Sequence, residues 1–189
     1  MFKQILKKKI LSEMKSLDKN DIYAISFLIN FNESDDSDEE LSLPNLFLLY
    51  NTEAECEADS EFDEERWNIA FWQEEEFNIL ESNEKNELVN SLLRWYKQIG
   101  VENIGYEDEE EMYDDKMEYI GKGPNGYWEL ASLLSEIACE IHSEEPKFSK
   151  IPIIINDYEY SWYTYDFTES ANPDGQAKIF LKAYKELFE

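Results

Sequence analysis

The segment DIYAISFLIN, residues 21–30, constrains the fold of this chain more than any other feature. It is apolar at nearly every position, which suits a strand whose two faces are both buried. We therefore predict a strand at the centre of a sheet. A second apolar run, residues 43–51, is predicted to be its antiparallel partner, with the polar and acidic stretch 32–42 as the loop between them.

Helical periodicity accounts for three further segments. An amphipathic helix is predicted at the N-terminus from the apolar residues Phe2, Leu6, Ile10, Met14 and Leu17, with lysines on its other faces. Residues 83–100 and 127–144 are predicted helices, and Gly100 is the expected stop of the first of these. Packing the N-terminal helix on the core would let its lysines offset part of the acidic charge.

The C-terminal third combines strand and helix signals. Residues 151–157 and 160–167 are predicted strands joined by a tight turn near Asn156 and Asp157, because aromatic and other residues alternate in the second run. A last helix is predicted over residues 172–189, with Asn172 as its N-cap and Pro173 in its first position.

Residues 52–72 give weaker signals. A short helix is predicted within residues 52–65, where Thr52 and Glu55 have the spacing of a capping box. Residues 66–72 fit either a strand or irregular structure. The order of elements predicts a single globular α+β domain over residues 1–189, with an antiparallel or mixed sheet of four to five strands, flanking helices, and acidic loops at 32–42 and 105–119.

Charge restricts the possible partners. The chain has 44 Asp and Glu against 17 Lys and Arg, a net charge of −27. Nucleic-acid binding depends on Lys and Arg that neutralise phosphates, so we expect neither direct nucleic-acid binding nor binding to an anionic membrane. A basic protein partner is the expected complement.

The chain offers few groups for catalysis or metal binding. His142 is its only histidine, so a Ser–His–Asp triad depends on it, and its position near a helix end favours a structural role. One histidine with Cys56 and Cys139 is too few for structural zinc, and no EF-hand or phosphate-binding loop is present. We therefore expect no cofactor, no metal site, no catalytic residues and no enzymatic activity, although carboxylate catalysis stays open because acids are so abundant.

Cellular location is predicted from two absences in the sequence. Two isolated cysteines do not form a disulfide framework, which favours a reducing compartment. We find neither a signal-peptide layout nor an apolar run long enough to span a membrane. The expected location is cytoplasmic.

Four short motifs carry a resemblance to a known family. They are DIYAISFLIN (21–30), LLYNTEAE (48–55), EERWNIAFWQEE (64–75) and TESANPDGQ (168–176). Together they resemble the uncharacterised bacterial family "domain of unknown function 4303" over most of residues 1–189. The resemblance implies no particular activity and no catalytic residues, but it suggests an association with immunity genes of bacterial toxin systems. The density of the acidic loops departs from the family pattern.

The acidic stretches supply the main functional hypothesis, an immunity-type inhibitor that covers a basic toxin such as a nuclease. Acids that steer a partner, combined with aromatic anchors, suit such a surface. The predicted partner-binding residues are Asp35, Asp36, Asp38, Glu39, Glu40, Tyr106, Glu107, Asp108, Glu109, Glu110, Glu111, Tyr113, Asp114 and Asp115. The interleaved aromatic residues have a second interpretation, in which they only pin the loop to the core.

Three other functions stay open. The chain could mimic a nucleic acid and block a DNA-binding protein, which requires carboxylates spaced like phosphates. It could be an enzyme of unknown reaction, which a polar pocket away from the acidic loops would favour. Its charge could also serve solubility alone.

Overall fold

The computed structural model describes residues 1–31, 43–72, 76–82, 85–107, 112–158 and 161–187. The helices are α1 (Phe2–Ser16), α2 (Glu64–Trp67), α3 (Glu87–Ile99), α4 (Tyr127–Glu144), α5 (Tyr163–Ala171) and α6 (Lys178–Leu187), with a 3-10 turn at Ile69–Phe71. The strands are β1 (Ile22–Phe31), β2 (Pro44–Thr52), β3 (Phe77–Leu80) and β4 (Ile153–Asn156). They form one mixed sheet in the order β3-β2-β1-β4, and the fold is a single α+β domain as predicted.

Strand β1 is the centre of the sheet. It pairs antiparallel with β2, where Phe27 lies opposite Leu48, and parallel with β4, where Phe27 lies opposite Ile155. Eight successive residues of β1 are buried, from Ile22 to Ile29. The nearly unbroken apolar run is therefore explained, as predicted, by burial of both faces of this strand under helices.

The helices form two layers. On one face of the sheet, Ile25, Phe27 and Ile29 pack in a core with α1, α3 and α4. On the opposite face, Ala24 and Leu28 pack with residues of α2 and α6. Helix α5 packs against α4 and β4 at the side of the sheet. Among the described residues, no helix is both long and apolar enough to cross a membrane.

Helices α1 and α4 are joined by ion pairs. Lys3 contacts Glu136 and Glu140, each at 2.8 Å. Lys7 contacts Glu140 at 2.7 Å and Glu144 at 2.9 Å. The lysines of the N-terminal helix thus offset part of the acidic charge, as predicted, and the acids that they contact lie on α4.

Helix α5 replaces a predicted strand. Residues 160–167 were expected to pair with 151–157 in a hairpin, but Tyr163–Ala171 is helical. Its buried residues are Tyr163, Thr164, Phe167, Thr168 and Ala171, which follow the helical repeat rather than an alternation. The alternating aromatic pattern was therefore too short to separate the two periods.

The last helix begins later than predicted. It starts at Lys178, and Asn172 caps the end of α5 instead of the start of α6. Asn172 is buried, and its amide bonds the backbone of β4: Nδ2 donates to the Ile153 carbonyl at 2.7 Å and Oδ1 accepts from the Ile153 N–H at 3.0 Å. Tertiary contacts thus decide the role of this residue.

Residues 52–82 differ from the prediction in two places. Thr52 does bond Glu55, with Oγ1 donating at 2.7 Å, but the contact closes a turn and the short helix lies later, at Glu64–Trp67. Strand β3 was not predicted from the sequence. It has four residues and pairs with β2 at the edge of the sheet.

Candidate functional site

A cavity of about 600 Å³ opens beside the carboxyl ends of β1 and β4. Because these two strands are parallel, their carboxyl ends meet at the same end of the sheet. The cavity is lined by residues 29–31 of β1, by Asp157, Tyr158 and residues 161–163 after β4, and by Glu107, Met112, Tyr113, Tyr119, Pro124 and Tyr127. Its volume lies within the range of roughly 300–1,000 Å³ that is usual for ligand sites.

The cavity walls are mainly aromatic. The ring centroids of Tyr127 and Tyr163 are 5.0 Å apart, and Trp162 meets Tyr163 edge-on at 5.6 Å. Tyr113 and Tyr119 are 5.7 Å apart, and their backbones form an isolated antiparallel bridge. Trp162 and Tyr113 are both nearly half exposed, so part of this aromatic surface faces solvent.

Two carboxylates line the cavity, those of Asp157 and Glu107. The Tyr163 hydroxyl donates to Asp157 Oδ2 at 2.6 Å, and Ser161 Oγ donates to the same oxygen at 3.2 Å. These bonds hold the Asp157 carboxylate in one orientation. Among the described residues that line the cavity, none is Lys, Arg or His, so the site is acceptor-rich and anionic.

The Tyr127 hydroxyl is the most unusual polar group at this site. Tyr127 is 1% exposed, and its hydroxyl oxygen has no hydrogen-bond partner among the described residues. Burial, followed by the charge of Asp157 and the proximity of Tyr163 and Tyr119, raises the pKa of Tyr127 well above its ordinary value. Tyr127 itself and these three groups are all among the residues that line the cavity.

The neighbouring tyrosines also stay neutral. Burial, and then the charge of Asp157, raises the pKa of Tyr163. Burial, and then the charge of Glu107, raises the pKa of Tyr119, whose hydroxyl accepts a hydrogen bond from the Gly123 N–H at 3.1 Å. At physiological pH the hydroxyls of Tyr119, Tyr127 and Tyr163 are therefore uncharged.

The described part of the predicted binding loop divides into two groups. Glu107 and Tyr113 line the cavity, whereas Tyr106 is 60% exposed and lies outside its lining. Asp115 is exposed. Asp114 Oδ1 accepts from the backbone N–H groups of Lys116 and Glu118 at 2.8 and 2.9 Å, so this carboxylate closes a turn.

The other nine predicted binding residues all lie outside the described residues. These are Asp35, Asp36, Asp38, Glu39, Glu40, Asp108, Glu109, Glu110 and Glu111. Their partner-binding role stays a prediction from the sequence. Phe31 immediately precedes segment 32–42, while Glu107 and Met112 flank 108–111, and all three line the cavity.

Sequence reasoning missed Asp157, Tyr163 and Tyr127 as site residues. Asp157 was assigned to a hairpin turn, Tyr163 to a strand and Tyr127 to the apolar stripe of a helix. The available signal was the aromatic density of residues 158–167, which contain four Tyr, one Trp and one Phe. It does not reveal that Tyr127 and Asp157, 30 positions apart, share one cavity.

Outside the cavity, the reactive side chains have structural roles. His142 is buried, with Nδ1 3.1 Å from the Phe148 carbonyl and Nε2 3.1 Å from Asn172 Oδ1. Burial raises the pKa of the Cys139 thiol, which disfavours the nucleophilic thiolate. In the described part of the chain, no three His, Cys, Asp or Glu side chains are grouped as metal ligands would be.

Comparison with known proteins identified no relatives: neither a protein-family model nor a curated protein nor a solved structure matches this chain. The family resemblance noted from the four short motifs therefore stays a prediction.

Proposed function

We propose that this chain is a non-enzymatic acidic binding protein, of the immunity type, that captures and covers a basic toxin. One observation carries the proposal. The described cavity combines the carboxylates of Glu107 and Asp157 with aromatic walls and has no basic residue in its lining. Such a site attracts a cation and offers it a desolvated contact surface.

The acidic stretches of the sequence support the same function. Segments 32–42 and 108–111 contain six and four acids and continue directly from residues that line the cavity. The negative charge of these segments favours rapid encounter with a cationic surface. A pocket far from the acidic segments would have favoured an enzyme, and this cavity adjoins them in the chain.

Ion pairing elsewhere also supports the proposal. Three of the α1 lysines, Lys3, Lys7 and Lys15, contact acids on α4 or just after it. Arg66 contacts Glu53, and Lys19 contacts Glu55. These five of the 17 Lys and Arg side chains are therefore engaged with acids of the chain outside the cavity lining.

The test begins with affinity capture from the native host, identification of the retained protein and its purification. Co-expression should abolish the toxicity of that protein in a growth assay. Association is then followed by stopped flow over a range of salt concentrations. The proposal predicts a rate constant that falls steeply with salt, from up to about 10⁸–10⁹ M⁻¹s⁻¹ at low ionic strength.

Two triple variants with the same change in net charge distinguish the effect of charge beside the cavity from the effect of the overall charge of the chain. The first carries Glu107→Lys, Asp108→Lys and Glu109→Lys, and the second carries Asp59→Lys, Glu61→Lys and Glu65→Lys. We expect the first to slow association by about tenfold or more and to flatten its salt dependence, with a much smaller effect from the second. Equal effects, or retention of no basic protein at all, would contradict the proposal. Displacement by duplex DNA from a DNA-binding partner that is not toxic would instead identify a nucleic-acid mimic.

A further inference from the structure

We propose that the cavity binds the guanidinium group of an arginine side chain, which the basic partner places against the Asp157 carboxylate and the aromatic residues beside it. This inference rests on the proposed function and specifies the chemical group that the cavity recognises. Three features of the chain support it: the charge of the cavity, an existing guanidinium site and the Tyr127 hydroxyl.

The existing guanidinium site is formed by Arg66. Its guanidinium carbon lies 3.9 Å from the centroid of the Tyr23 ring and 5.6 Å from that of Trp67. Its two terminal nitrogens donate to the two carboxylate oxygens of Glu53. This chain therefore holds a guanidinium with aromatic faces on one side and a two-pronged carboxylate contact on the other.

The cavity presents the same combination of groups. Asp157 supplies a carboxylate whose orientation is fixed by Tyr163 and Ser161, and the Tyr127, Tyr163 and Trp162 rings lie beside it. The described lining residues include no basic side chain. A guanidinium from another molecule would meet here the aromatic and carboxylate groups that Arg66 meets within the chain.

The Tyr127 hydroxyl is the independent observation that points to a ligand. A buried polar group without a hydrogen bond carries a desolvation cost that binding can relieve. The hydroxyl oxygen can accept from a guanidinium N–H, and the group stays neutral because burial raises its pKa. It is closed off from solvent, so a ligand reaches it by shifting neighbouring side chains, a common adjustment on binding.

Guanidinium fits better than ammonium for two physical reasons. It is planar and weakly hydrated, so it stacks on tyrosine and tryptophan rings at a low desolvation cost. It also has five N–H donors in a fixed fork, which can serve a carboxylate and a hydroxyl at the same time. The cavity of about 600 Å³ has room for an arginine side chain and for part of the chain on either side of it.

The first measurement is a titration of the full chain with N-acetyl-arginine methylamide, followed by NMR of the tryptophan indole resonances. We expect saturable shifts of the Trp162 resonance with a Kd of about 1 mM. The lysine analogue should bind about fivefold or more weakly, and the neutral citrulline analogue should not produce saturation. Absence of saturable shifts up to about 50 mM arginine analogue would overturn the inference.

Three variants assign the binding to the cavity. Asp157→Asn removes the carboxylate charge and is expected to weaken arginine binding by about tenfold or more. Tyr127→Phe removes one hydroxyl and is expected to weaken it about threefold to tenfold without loss of thermal stability, because the hydroxyl has no partner in the free protein. Asp166→Asn is the control, since Asp166 is exposed and lies outside the cavity lining. Unchanged affinity in both cavity variants would refute the assignment.

The same variants separate this inference from the proposed function. If the purified partner binds the Asp157→Asn/Tyr127→Phe double variant as tightly as the unmodified chain, the arginine inference fails and the proposed function stands. If the arginine analogue binds as expected but no basic protein is captured, the cavity assignment stands and the toxin-inhibitor proposal fails. If the partner's own arginine-to-lysine variants bind normally, the inference also fails.

Discussion

The side chain of Asn172 pairs with the backbone of Ile153 as another strand would. Its Nδ2 donates to the Ile153 carbonyl at 2.7 Å, and its Oδ1 accepts from the Ile153 N–H at 3.0 Å. Two residues further along β4, Thr168 Oγ1 accepts from the Ile155 N–H at 3.1 Å. Side chains of α5 and its cap thus supply hydrogen-bond partners for backbone groups at the outer edge of β4. This edge lies next to the turn that carries Asp157.

Replacement of Asn172 by Leu should strongly destabilise the protein. It would leave the buried N–H and carbonyl groups of Ile153 without these partners, and each such group costs about 1–3 kcal/mol. We expect the free energy of unfolding to fall by about 3 kcal/mol or more, measured by urea denaturation. Asn90→Leu, at an exposed position of α3, is the control and should change it by less than about 0.5 kcal/mol. Similar losses in the two variants would contradict this role of Asn172.

Two buried threonines on α5 should respond oppositely to the same substitution. Thr168→Val removes the hydroxyl that bonds Ile155 and should cost about 1–2 kcal/mol of unfolding free energy. Thr164 Oγ1 is buried with no partner among the described residues, so Thr164→Val should be neutral or stabilising by up to about 1 kcal/mol. Thermal and urea unfolding of both variants would check this difference, and a greater loss in Thr164→Val would contradict it.

Gly126, at the start of α4, should tolerate no side chain. Its φ is +92°, and a Cβ there would lie 2.8 Å from Cζ of Tyr96, whose hydroxyl donates to the Gly126 carbonyl. We expect Gly126→Ala to cost about 2 kcal/mol or more, from backbone strain and the forced movement of Tyr96. Gly100 has a similar φ of +82° but open space around it, so Gly100→Ala should cost only about 1 kcal/mol. Equal costs in calorimetry would rule out the Tyr96 contact as the cause.

Glu140 should contribute to stability in a pH-dependent way. Hydrogen bonds from Lys3 and Lys7 lower the pKa of Glu140 below its ordinary value of 4.5. A carboxylate with a lowered pKa stabilises the fold above that value and loses its contribution as the pH falls through the folded-state pKa. Its side chain is 37% exposed, so solvent screening limits the loss in Glu140→Gln to about 0.5–1 kcal/mol at pH 7.

Urea unfolding at several pH values would check this contribution. The difference in unfolding free energy between Glu140→Gln and the unmodified chain should shrink below pH 4.5. It should also shrink in 1 M salt, where the Debye length is roughly one third of its value at 0.1 M. Glu169→Gln, at an exposed position of α5, is the control and should not lower stability, because the chain carries a net charge of −27. A difference that grows on acidification would contradict the pairing of Glu140 with the lysines.

The parts of the fold that were predictable from the sequence are those with a long and consistent pattern. The apolar run of β1 and the helical stripes of α1, α3 and α4 each extend over ten or more residues, so the period is clear. Residues 160–167 are too few for that, and the buried contacts of Tyr163 and Phe167 with Tyr127 make the segment helical. Strand β3 has four residues and depends on pairing with β2, which no local pattern reveals.

The site was predictable only in its charge. Glu107 was predicted from acid density and Tyr113 as an aromatic anchor, and both line the cavity, whereas Asp114 uses its carboxylate within its own turn. Asp157 and Tyr127 lie on different elements, and only the packing of α5 against α4 and β4 places them at one cavity. A density of acids in the sequence does not distinguish these roles.

The side-chain bonds along β4 also limit how this sheet can grow. An incoming strand from a second copy, in a swapped dimer or a fibril, needs open N–H and carbonyl groups along an edge. The side chains of Asn172 and Thr168 already bond the backbone N–H groups of Ile153 and Ile155. On the opposite side of the sheet the outer strand is β3, which is only four residues long. Backbone-mediated self-association of the described sheet is therefore opposed along the β4 edge, beside the anionic cavity, by side chains of the same chain.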